Sequence, residues 1–103
     1  MGIDARLESE FGQVQAEPPD SGNLTKRLVE PFRDSDTRCL RFIDLYGDTT
    51  FNRLQLPVLI SELKRAIELT SNPVLRTRGE AVLALAHRAS SEGPHIYLKF
   101  VGD

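Results

Sequence analysis

The chain has 103 residues, 40% of them apolar and 27% charged, with a formal net charge of -2 at pH 7. That size and balance fit one globular domain over residues 1–103 with its own core, and exclude the compositions of disordered and fibrous chains. A net negative charge also argues against a protein whose affinity comes from neutralising phosphates, and no apolar run approaches the ~18 residues of a membrane span, so neither nucleic acid nor membrane is an expected partner.

The first residues, MGIDARLESE, carry no basic start and no apolar core, which is not the pattern of a secretory signal, and Arg6 stands where a myristoylation motif wants Ser or Thr. The single Cys39 has no second cysteine to pair with. Together these lead to a cytoplasmic, reducing location as the expectation. Charge is uneven along the chain: Asp4, Glu8, Glu10, Glu17 and Asp20 face only Arg6 in the first twenty residues, while Lys26, Arg27, Arg33, Arg38 and Arg41 follow.

In chain order, Ile3, Ala5 and Leu7 alternate with Asp4, Arg6 and Glu8, the period-two pattern of a strand with one buried face. Phe11-Gly12-Gln13 can turn the chain into a weaker return strand at Val14 and Ala16, which Pro18 and Pro19 stop. The segment from Asp20 to Thr37 reads as a long connection. It can hold a short helix between Leu24 and Val29, capped by Ser21 or Asn23 and ended by Pro31, and its length makes it a candidate functional loop.

Leu40 and Phe42 on one parity and Ile43 and Leu45 on the other predict a central strand covered on both faces. A turn at Tyr46-Gly47-Asp48 then returns the chain along Thr49 to Leu54, with Gly47 expected at positive φ. Leu56-Pro57 opens a helix whose Leu59, Ile60, Leu63, Ala66 and Ile67 share one stripe, with Ser61, Glu62, Lys64, Arg65 and Glu68 on the wet side. Asn72 caps a second helix beginning at Pro73, with Leu75, Gly79, Val82, Leu83, Ala86 and Ala89 on its apolar face and Gly93-Pro94 at its end. A closing strand alternates Ile96, Leu98 and Phe100 with His95, Tyr97 and Lys99. The predicted class is α+β: an antiparallel or mixed sheet of four to five strands with a two-helix hairpin packed on one face.

No GxGxxG, Walker loop, HExxH, CxxC or GxSxG is present, and one cysteine with two histidines is too few soft ligands for a zinc site. No metal and no cofactor is expected. The weak catalytic candidates are Asp44 and Asp48, flanking the turn, with His95, a set able to act as acid and base if the sheet brings it together, and with Asp4 and Asp103 within conceivable reach. Helices on one side leave the other face of the sheet open. Arg41, Ile43, Leu45, Tyr97, Lys99 and Val101 are the residues expected there, Arg41, Ile43, Tyr97 and Lys99 being the candidate contacts. Exposed apolar surface of that kind marks interfaces. The expected function is a non-enzymatic interaction module that binds a protein partner or itself through this face, and the alternative is a small enzyme or ligand-binding regulator built on Asp44, Asp48 and His95.

Overall fold

A computed structural model describes residues 3–16 and 24–102. Four strands, β1 (Ile3–Ser9), β2 (Val14–Ala16), β3 (Asp48–Phe51) and β4 (Ile96–Gly102), form an antiparallel sheet in the order β2-β1-β4-β3. Three helices, α1 (Leu24–Val29), α2 (Leu56–Leu69) and α3 (Pro73–Glu92), accompany it, with 3-10 turns at Glu30–Phe32 and Leu40–Phe42. The α+β class and the helical hairpin expected from the sequence are present.

The closing strand is central. β4 pairs with β1 along its whole length, from Ile3 opposite Gly102 to Ser9 opposite Ile96, and β3 lies on its other edge. This register stacks Ala5 beside Phe100 and Leu7 beside Leu98 on one face, where Leu59, Leu63, Val82, Ala86 and Ala89 of the helices complete the core. Phe51 meets Phe100 edge to face, ring centroids 5.9 Å apart. On the opposite parity Arg6 lies beside Lys99 and Glu8 beside Tyr97, and among the described residues no helix of the core packs on this side of the sheet.

The helix boundaries follow local chemistry. Asn72 accepts hydrogen bonds from Val74 N and Leu75 N, satisfying donors that the first turn of α3 leaves unpaired, and Pro73 lacks the N–H that would need a partner. Before α2, Asn52 Oδ1 accepts from Leu54 N and Gln55 N while Gln55 Oε1 accepts from Asn52 N. That turn ends β3 at Phe51 and not at Leu54. The inner face of α3 is Arg78, Gly79, Val82, Leu85, Ala86 and Ala89, with Leu75 and Leu83 only half-buried at its margins. At Gly79 a Cβ would come within 2.7 Å of Ile67 and 3.2 Å of Leu28, so the missing side chain is what lets α1, α2 and α3 meet. Buried Arg78 adds a polar tie, its Nε donating to Thr25 Oγ1 of α1 at 2.9 Å.

The central strand expected at Leu40 to Leu45 is not a strand. Cys39, Leu40, Ile43 and Leu45 are buried while Arg41, Phe42, Asp44 and Tyr46 are exposed, a spacing that begins helically and cannot lie on a two-faced sheet. The backbone here finds side-chain partners in place of a ladder: Thr37 Oγ1 accepts from Arg41 N, and Ser35 Oγ accepts from Thr37 N. Gly47 accordingly turns no hairpin, and the described glycines at positive φ are Gly12 and Gly93. Gly12 closes the β1–β2 turn at φ 80°, as expected for that position. The short helix Leu24–Val29 is present, whereas its expected caps Ser21 and Asn23, and the stop at Pro18 and Pro19, lie outside the described residues.

Candidate docking face and its surroundings

Sheet pleating alone puts Arg6, Glu8, Tyr97, Lys99, Asp48 and Thr50 on the helix-free face, because successive side chains alternate sides and the three strands are in register. Lys99 is the hub. Its Nζ lies 3.5 Å from Glu8 Oε2 and 3.4 Å from Asp48 Oδ2, and Arg6 Nη1 lies 3.5 Å from the same Glu8 oxygen. Glu8 is only 8% exposed, so its charge is held where water screens it weakly and its paired cations matter more than at an open surface.

Beside this network runs a groove of about 310 Å³ lined by Glu8, Ser9, Glu10, Gly12, Thr50 and Tyr97. The turn between β1 and β2 forms its rim, and Phe11 at that turn is 83% exposed. His95 stands at the same end of the sheet, with Nδ1 2.9 Å from Glu10 Oε2.

The expected contact residues separate. Tyr97 and Lys99 are on the helix-free face as the alternation of β4 predicts. Arg41 is instead on the 3-10 turn, its guanidinium 4.6 Å from the ring centre of its neighbour Phe42, and Ile43 is buried in the core at 3% exposure, as is Leu45. All three are expected on the sheet only if residues 40–45 form a strand. The face is therefore charged and aromatic where an apolar one was expected.

The acid-base candidates are also not assembled. His95 precedes the first residue of β4, whereas Asp48 pairs with Val101 near its far end, six residues or about 20 Å along a strand. Asp48 binds Lys99, and Asp44 Oδ1 accepts from Tyr46 N, the usual occupation of an aspartate in a turn. Asp103 lies outside the described residues, and among the described residues no three His, Cys, Asp or Glu side chains converge as a metal site would require. Likewise, no described helix is long and apolar enough to cross a membrane.

The sequence reading missed Glu62. Placed on the wet side of α2 by periodicity, its carboxylate accepts from Arg38 N at 2.6 Å, Cys39 N at 2.9 Å and Leu40 N at 3.0 Å, fixing the 3-10 turn to the helix. Nothing in the helical spacing carries that signal, since the partners are backbone groups more than twenty residues earlier. Cys39 is buried beside it. Desolvation first, and the Glu62 charge second, push its thiol above the ordinary value of 9.0, so it is a weak nucleophile. Glu8 follows the polar parity of β1 that the sequence alternation assigns with Arg6, whereas Glu10, just beyond β1, was noted only as a member of the acidic segment.

No protein-family model matches the chain, and no curated protein and no solved structure matches it either.

Proposed function

We propose that the protein is a non-enzymatic interaction module that docks a protein partner, or a second copy of itself, through the helix-free face of its sheet, in a reducing cytoplasmic setting. The observation that carries this reading is the groove beside Tyr97, built on β1, β3 and β4, with the exposed ring of Phe11 on the adjoining turn. Tyrosine and phenylalanine in such positions bring large contact area at small cost in side-chain entropy. A scaffold of paired strands holds them in place before a partner arrives, which limits the ordering cost of association.

The test is Tyr97→Glu. A charge forced into a desolvated contact is costly, whereas on a wet surface it is nearly neutral, so association should be lost while circular dichroism stays that of the parent. Light scattering at two concentrations reads self-association, and affinity capture with parent and variant side by side reads a heterologous partner. A folded variant with unchanged mass and unchanged captured proteins would remove this face from consideration.

A further inference from the structure

Resting on the reading that the helix-free face docks a protein, we propose that the partner presents a lysine or arginine side chain to the groove beside Tyr97. Among the described residues, the ionisable groups lining that groove are acidic or phenolic, Glu8, Glu10 and Tyr97, and neither lysine nor arginine lines it. Glu8 is more than nine-tenths buried, yet both of its cationic neighbours approach one oxygen, Oε2. Neither of these contacts involves Oε1, which is not a buried, unsatisfied atom. A carboxylate largely withdrawn from water gains from a donor that enters beside it, and gains most from a charged one.

Glu10 is engaged through Oε2 with His95. Tyr97 adds a ring face and a hydroxyl, the combination that holds an ammonium or guanidinium by cation–π attraction and a hydrogen bond. The surrounding field has the same sign: among the described residues, Asp4, Glu8, Glu10 and Asp48 on this side of the sheet outnumber Arg6 and Lys99. An acidic or phosphorylated segment would meet this excess of carboxylates, and an apolar one would cover the groove's carboxylates without offering them a donor.

The experiment titrates the isotopically labelled full chain with four capped pentapeptides of one design, glycine alternating with lysine, arginine, norleucine or glutamate, and follows backbone amide shifts. The lysine or arginine peptide should give saturable shifts centred on Glu8, Glu10, Thr50 and Tyr97, and the norleucine and glutamate peptides should not. Glu10→Gln, an exposed position whose change leaves the core alone, should weaken the basic peptide about threefold or more. Shifts that never saturate, that spread over every acidic surface residue, that appear equally with norleucine, or that survive Glu10→Gln unchanged would overturn the proposal. If Tyr97→Glu abolishes association but the basic peptides move nothing, the docking face stands and its basic partner falls. If the basic peptides bind but Tyr97→Glu leaves association intact, the docking reading falls and the cation groove stands.

Discussion

Glu62 shows how one side chain can set the path of a segment distant in sequence. Its carboxylate receives three successive backbone N–H groups, two of them on the buried residues Cys39 and Leu40, and these are donors that a strand would otherwise have satisfied in a ladder. Hydrogen bonds to a charged acceptor are worth more than neutral ones, and removing the acceptor strands buried donors. Glu62→Ala should therefore destabilise the protein by about 1–3 kcal/mol, against less than about 0.5 kcal/mol for the neighbouring exposed Lys64→Ala, both read by denaturant melts. A second readout is the thiol. With one of the two causes of its raised pKa gone, Cys39 should ionise at lower pH and react faster with a maleimide at mildly alkaline pH than in the parent. Equal melts for Glu62→Ala and Lys64→Ala would mean that the 3-10 turn holds its place by packing of Leu40 alone.

At the scale of elements, what was legible followed from how local the determining chemistry is. The two long helices carry their stripes and, for α3, its cap within a single stretch of sequence, and β1 and β4 carry a clean alternation. Residues 40–45 have neither, because the backbone partners of Leu40 and Arg41 come from the carboxylate on α2 and from Thr37. The turn after them is fixed by β4 and not by its own glycine. Gly102 N donates to Gly47 O, and a Cβ on Gly102 would stand 2.6 Å from the carbonyl oxygens of both Asp44 and Gly47. Backbone at that distance cannot step aside without breaking the contact. Gly102→Ala should thus cost about 1–3 kcal/mol by overpacking, and Gly47→Ala less, since the atoms nearest its own Cβ belong to the Asp44 side chain and not to backbone. Comparing the two melting temperatures checks this, and a larger loss at Gly47 would return the turn to a hairpin-like role.

At the scale of the whole molecule, the face proposed for docking was half legible. Alternation in β4 places Tyr97 and Lys99 outward, but the residues beside them come from β1, some ninety positions away, and only the pairing of Arg6 with Lys99 and Glu8 with Tyr97 reveals a charged surface. The same long-range pairing makes the fold one that forms all together. The helices rest on β1 and β4: Leu98 and Phe100 are fully buried in the same cluster as Leu59, Leu63, Val82 and Ala86, and the sheet has no continuous core face until the last strand is in place. An α2–α3 pair without that sheet would expose this apolar stripe to water, and isolated helices of these lengths are marginal even with good propensity. Helical circular dichroism and tyrosine fluorescence should therefore report one coincident thermal transition, and a chain cut after Gly93 should lose its helical signal together with its sheet. Helices that persist in the truncated chain, or a helical transition displaced from the tyrosine one, would mean that α2 and α3 stand as a unit of their own and that the sheet is added to a structure already formed.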